Sequence, residues 1–126
     1  MTVNKIMAFL DACIEIFRWI RMKLKHVPQI IYNTLEELNA AKVVMEEALQ
    51  LMQQKDTSDG TITQINHKLT ICEIWAQRLS LTAKRAQENT KNRQFPDHLI
   101  PELDKQREEL GDSVVLLSSD LRVLNL

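Results

Sequence analysis

Apolar side chains recur along the chain at steps of three and four residues, in four segments separated by short polar or proline-containing breaks. This spacing matches the 3.6-residue period of an α-helix, so each apolar stripe lies along one face of its helix. In the second segment the stripe runs through Ile31, Leu35, Leu38, Ala41 and Met45. The pattern predicts four helices, at residues 2–25, 29–55, 61–90 and 101–123.

Each stripe has to be covered by neighbouring helices, because a single amphipathic helix buries none of its own apolar face. The chain has 126 residues, with only 2 glycines and 3 prolines. That length is typical of one domain, and the scarcity of glycine and proline argues against a turn-rich β fold. We predict that residues 1–126 form a single all-α domain, a four-helix bundle with antiparallel helices.

The formal charge alternates in sign along the four segments, although the net charge is only −1. Residues 1–27 carry five basic and two acidic side chains, and residues 28–59 carry two and six. Residues 60–95 carry six and two, and residues 96–126 carry three and seven. Opposite charges on successive helices favour packing those helices side by side, although each surface ion pair contributes little.

The first segment combines a wide apolar face with a narrow charged stripe. In one interpretation it is the most buried helix of the bundle, and its charges are simply solvated. In the other, the helix also binds an anionic bilayer. The residues that would then enter the acyl boundary are Phe9, Leu10, Ile16, Phe17, Trp19 and Ile20, and those that would contact lipid phosphates are Arg18, Arg21, Lys23 and Lys25.

Two acidic residues, Asp11 and Glu15, interrupt this segment and count against spontaneous insertion, since an intramembrane carboxylate is costly unless paired. They also argue against a secretory signal, and no apolar run is long enough to span a bilayer. Cys13 and Cys72 lie within apolar patterns, which predicts buried free thiols in a reducing compartment; the alternative, a disulfide, has no support in the pattern. We expect a cytoplasmic protein, recruited to the plasma membrane under the bilayer interpretation.

The chain carries no recognisable catalytic or cofactor-binding motif. His26, His67 and His98 lie in different segments without metal-ligand spacing, and glycine-rich phosphate loops are absent. The basic run LTAKRAQENTKNR at 81–93 has no interleaved aromatic residue and is typical of a solvated helix end. We therefore expect no catalytic residue, no metal, no cofactor and no nucleic-acid partner, in a protein that is not an enzyme.

Three stretches follow an order that resembles a known family. A long helix of the form IxxxLxxLxxAxxxM is followed by LTICEIWAQRL, and the chain closes with ELGDSVVLLSSDLRVLNL. With the apolar first helix, this order resembles the HeLo-like and SesA-type N-terminal domains of fungal NOD-like (STAND) receptors. Those domains are relatives, at the level of fold, of the four-helix bundles in the necroptotic pseudokinase and in plant immune receptors.

The resemblance implies a signalling or execution domain in regulated cell death or heterokaryon incompatibility. Such a domain would oligomerise with copies of itself, under control of a regulatory receptor domain, and its N-terminal helix would associate with an anionic membrane. The sequence departs from the family in having no glycine before Gly60 and two acids in the first helix. The alternative is a non-enzymatic adaptor or recruitment bundle that binds a partner protein and has no membrane activity.

Overall fold

Four long helices make up nearly all of the part of the chain that the computed structural model describes, residues 2–54 and 60–124. A single turn of 3-10 helix, Asp97–Leu99, precedes the last of them, and these ranges contain no β-strand. The predicted all-α four-helix bundle is confirmed. The helices are α1 (Thr2–Lys23), α2 (Gln29–Gln54), α3 (Gly60–Asn89) and α4 (Ile100–Leu124).

The helix ends lie close to the predicted positions, and the main difference is at the end of α1. The helix stops at Lys23 because the backbone N–H of Lys25 leaves it and donates to the carbonyl oxygen of Arg93, at an N···O distance of 3.0 Å. Pro101 occupies the first turn of α4, where its missing N–H is tolerated. The predicted end of the second helix at Lys55 lies outside the described residues.

The helices form a ring in which α1 and α4 are diagonal, each packing against α2 and α3. Ion pairs Asp11–Lys42, Arg85–Glu102 and Lys68–Asp120 cross the α1–α2 and α3–α4 interfaces, where the helices run antiparallel. α1 and α3 run in the same direction, because Cys13 meets Ser80 near the middle and Lys25 meets Arg93 at the end. Helices that follow one another in the chain thus alternate in direction, but α2 and α3 face each other across the core.

We predicted that consecutive helices, which have opposite charge, would pack side by side. This is correct for α1 with α2 and for α3 with α4, but wrong for α2 with α3. α1 and α3, each with four basic and two acidic side chains, lie side by side, and so do the acidic helices α2 and α4. Burial of one large apolar side chain contributes about 1.5–3 kcal/mol, whereas an exposed ion pair contributes about 0–1 kcal/mol. Packing of the apolar stripes therefore decides the arrangement, and it gives the bundle a basic side (α1 and α3) and an acidic side (α2 and α4).

Gly111 lies on α4 where the side chain of Glu37, on α2, packs against it. A Cβ atom added at this position would lie 2.5 Å from Glu37 Oε1, so the carboxylate of Glu37 occupies the space that any larger residue would need. The sequence predicted either a kink or a close helix contact here, and the structure shows the Glu37 side chain lying against the glycine. An internal helical glycine costs about 1 kcal/mol relative to alanine.

The substitution Gly111→Ala should therefore stabilise the bundle by about 1 kcal/mol when Glu37 is first replaced by alanine, since helix propensity then acts alone. In the wild-type background the gain should be smaller, because the Glu37 side chain has to move. Urea denaturation followed by circular dichroism on the four proteins of this double-mutant cycle measures the coupling. Equal gains in the two backgrounds would show that Glu37 does not contact Gly111.

Candidate functional site

The six apolar residues predicted to contact a membrane lie mainly inside the bundle. The side chains of Leu10, Phe17 and Ile20 are fully buried in the core. Phe9 and Ile16 are partly buried and pack against that core. Of the six, Trp19 is the most accessible, with 37% of its surface exposed.

The four basic residues predicted to contact lipid phosphates are all exposed. Arg18 lies at the groove between α1 and α2, together with Asp11 and Lys42. The Lys23 ammonium lies 5.9 Å from the centroid of the Trp19 ring, within reach of a cation–π contact. The closed bundle thus presents the charged stripe of α1 to solvent and keeps the apolar face inside.

The structure adds basic residues from α3 and the segment after it that sequence reasoning did not assign to this site. Lys84 on α3 is near enough to Cys13 for its charge to lower the pKa of that thiol, and it also lines the groove towards α4. Lys91 and Arg93 lie in the turn that meets the end of α1. The only signal for them was the basic run at 81–93, which is also what a solvated helix end looks like.

The turn from Lys91 to Gln94 holds two residues in the left-handed region. Asn92 has φ 53° and Arg93 has φ 61°, and the Gln94 N–H donates to the Lys91 carbonyl at 3.0 Å. Positive φ at both central positions is typical of a type I′ turn, in which Asn-Gly is strongly preferred. Asparagine tolerates this conformation, but a residue such as arginine pays roughly 1–2 kcal/mol for it.

A cleft of about 280 Å³ separates this turn from the connection between α1 and α2. Lys25, His26, Arg93 and Asp97 are among the residues that line it. A backbone hydrogen bond joins Lys25 to Arg93, and both residues line the cleft.

Acidic residues reduce the positive potential of the basic side only in part. Asp11 forms an ion pair with Lys42 at 2.8 Å, and this contact raises the pKa of the Lys42 ammonium. Glu15 lies on the outer surface of α1 and lines the grooves towards both α2 and α3. On α3, Lys68 and Arg85 form ion pairs with Asp120 and Glu102 of α4, so the bases of this side that have no such partner among the described residues lie mainly on α1 and in the 91–94 turn. The basic residues at the end of α1 outnumber these neighbours.

Both cysteines are buried free thiols, Cys13 in α1 and Cys72 in α3. Burial raises the pKa of each thiol to about 12, and Lys84 and Ser80 offset this only in part at Cys13. Neither residue is therefore a nucleophile near neutral pH.

Residues 2–54 and 60–124 contain no cluster of side chains suited to hold a metal ion. Over the same ranges, none of the helices is both long and apolar enough to cross a bilayer. Comparisons of the chain with protein-family models, curated proteins and solved structures found no match. The similarity to HeLo-like domains is therefore a prediction from the sequence pattern alone.

The buried thiols predict a loss of stability at alkaline pH. Burial raises the pKa of Cys13 from 9.0 to about 12 in the folded protein. The protonated thiol therefore contributes fully to the free energy of unfolding below pH 9, and this contribution is lost as pH rises towards 12. At pH 10 the unfolded thiol is mostly ionised and the folded one is not, a difference of about 1.4 kcal/mol. The drop in unfolding free energy between pH 8 and pH 10 should be smaller by this amount in Cys13→Ala than in wild type, by urea denaturation. Equal drops in the two proteins would show that the thiol ionises as readily in the fold as in the unfolded chain.

Proposed function

We propose that this protein is a non-enzymatic helical bundle that associates with anionic membrane surfaces through its basic side. The observation that carries the proposal is the row of exposed bases along α1, which continues into the turn after α3. Each lysine or arginine near an anionic leaflet contributes about 1 kcal/mol to binding. Several such contacts would come from four bases on or just after α1 and from residues of the 91–94 turn. The four bases are Arg18, Arg21, Lys23 and Lys25.

Docking of this kind leaves α1 in the bundle. The helix buries Val3, Ile6, Leu10, Ile14, Phe17 and Ile20, and at about 1.5–3 kcal/mol each their burial is comparable to the whole stability of a typical domain. In solution α1 therefore cannot leave without unfolding the rest. The six apolar residues predicted to contact the membrane would reach the acyl region only if the bilayer covered the surface that the other helices cover in the bundle. These residues are Phe9, Leu10, Ile16, Phe17, Trp19 and Ile20.

The finer part of the proposal follows the resemblance to HeLo-like domains. The bundle would act as a signalling or execution module in regulated cell death, with a regulatory receptor domain as partner. Docking would concentrate copies of the protein at the plasma membrane, and release of α1 would belong to the activated homo-oligomer. Permeabilisation of anionic vesicles by a forced oligomer, and not by the monomer, is the expected behaviour, and a forced oligomer that leaves vesicles intact would contradict this part.

Vesicle co-sedimentation at low ionic strength tests the docking step. Wild-type protein should bind phosphatidylcholine vesicles that contain phosphatidylserine, and binding should weaken as salt screens the charges. Reversal of two bases in Arg18→Glu with Arg21→Glu removes about 2 kcal/mol of attraction before any repulsion, so affinity should fall at least about 30-fold. Circular dichroism should show an unchanged fold, because both side chains are exposed.

A matched control changes the net charge equally on the other side of the bundle. Lys105→Glu with Arg122→Glu alters two exposed residues of α4, diagonally opposite α1, and should bind vesicles nearly as well as wild type. If both double variants lose binding alike, net charge and not the basic side controls the association. If wild type does not bind, the membrane proposal fails.

A second candidate function, docking of a partner protein without membrane activity, is favoured by the groove between α3 and α4. This groove has a volume of about 640 Å³ and is lined by Leu81, Thr82 and Gln106 together with charged residues of both helices. Leu81 is 54% exposed there, and the Oε1 atom of Gln106 is buried and has no hydrogen-bond donor among the described residues. Absence of vesicle binding by the wild-type protein would leave this adaptor function as the better account.

A further inference from the structure

We propose that the groove between α3 and α4 binds a tryptophan side chain presented by a partner protein. The indole ring would lie against Leu81 and stack on the guanidinium group of Arg78, and its N–H would donate to the Oε1 atom of Gln106. The inference names the kind of partner that the second candidate function requires, and it rests on that function. It does not rest on membrane docking, because the residues that line the groove belong to α3 and α4.

The first argument is a buried acceptor atom without a donor. Gln106 lines the groove and is only 9% exposed, and its Oε1 atom has no hydrogen-bond donor among the described residues. A buried polar atom of this kind destabilises the folded state unless a partner compensates for it. Because Oε1 has no such hydrogen bond to lose, the carboxamide can turn into the groove and accept one from a bound ligand.

The second argument is the charge of the groove. Arg78, Lys84 and Arg85 line it from α3, and its two acids are Glu88 and Glu102. Arg85 and Glu102 form an ion pair at 3.2 Å, which leaves two bases and one acid. Cationic donors, lysine and arginine, are therefore disfavoured as the group that donates to the buried oxygen, and an uncharged donor is favoured.

The third argument is the position of the Arg78 guanidinium. Its Cζ atom lies 4.8 Å from the centroid of the Trp75 ring, so one face of the guanidinium already lies over an indole. Trp75 packs against the core and holds the guanidinium in place. Since this group is planar and Arg78 also lines the groove, its second face can stack on the ring of a ligand.

A tryptophan side chain combines the properties that the groove favours. Leu81 is 54% exposed and offers an apolar surface that serine, asparagine or glutamine would leave uncovered. Phenylalanine would cover it but has no donor for Gln106, whereas the indole N–H is a donor only. Tryptophan is also the best aromatic partner for a cation and is enriched among the residues that dominate binding energy at interfaces. The volume of about 640 Å³ lies within the usual range for ligand sites, roughly 300–1,000 Å³.

The test uses N-acetyl-L-tryptophanamide as the free probe, titrated into the isotopically labelled wild-type protein. Amide resonances of Leu81, Thr82 and Gln106 should shift. The 1-methylindole analogue, in which a methyl group replaces the ring N–H hydrogen, should bind about fivefold more weakly, the usual effect of losing one hydrogen bond. N-acetyl-L-tyrosinamide should also bind more weakly than the probe. Equal or tighter binding of either analogue would overturn the inference, and so would the absence of shifts at these three amides.

The variant Gln106→Met removes the acceptor and keeps the length of the side chain. It should bind the probe about fivefold more weakly and should no longer distinguish the probe from its methylated analogue. Its thermal midpoint should equal or exceed that of wild type, because an apolar group replaces an unpaired buried oxygen. The matched control, Gln77→Met, makes the same change at an exposed position of α3 outside the groove and should alter the affinity less than twofold. A Gln106→Met protein that still prefers the probe would overturn the inference.

Selection of peptides from a random library on the wild-type protein tests whether a partner protein supplies the ring. The selected peptides should share a tryptophan, and its replacement by alanine should lower their affinity at least about 30-fold, as for a dominant interface residue. Peptides without a common tryptophan, or peptides that bind no more tightly than the free probe, would overturn the assignment to a partner protein. Peptides that bind Gln106→Met as tightly as wild type would overturn the groove site and leave the adaptor function intact.

Vesicle co-sedimentation separates this inference from membrane docking. Gln106→Met should bind phosphatidylserine vesicles as wild type does, and Arg18→Glu with Arg21→Glu should bind the probe as wild type does. A loss of vesicle binding in Gln106→Met would show that the groove belongs to the membrane-binding surface and would contradict a separate partner site.

Discussion

The apolar face of α1 has to be covered, and α2 and α3 cover it from two sides. Phe17, Leu10 and Ile20 are fully buried in the shared core, which leaves the helix only one outward stripe. Because a wide apolar face needs two neighbours, α1 packs against α3 although both carry excess positive charge. The position of every other helix follows, since α4 then closes the ring against α2 and α3.

The unequal distribution of charge over the bundle is a consequence of this packing. Two basic helices on one side and two acidic helices on the other distribute the charge unevenly at a net charge of only −1. The parallel course of α1 and α3 also brings their last residues to the same end of the bundle, where Lys25 binds Arg93. The basic side and the cleft at its end thus have the same structural origin.

The helices and the two faces of α1 could be predicted from the sequence, because the 3.6-residue period records which side chains are buried. The stripe positions Leu10, Phe17 and Ile20 are indeed in the core. The neighbour relations could not be predicted, since they depend on how apolar stripes interlock and not on the surface charges that suggested another order. The cleft could not be predicted from the sequence either. Lys25 and Arg93 are far apart in the chain, and only Asn92, which tolerates a left-handed backbone, hinted at the turn.

The central claim is that the monomer docks on a membrane through the charged stripe of α1 while the apolar face of that helix stays in the core. Alkylation of Cys13 by iodoacetamide in the Cys72→Ala protein measures this directly, because Cys13 is fully buried against α3. We expect the reaction of the monomer to be equally slow in buffer and on saturating phosphatidylserine vesicles. Rapid alkylation of vesicle-bound monomer would show that α1 leaves the bundle on docking and would contradict the account.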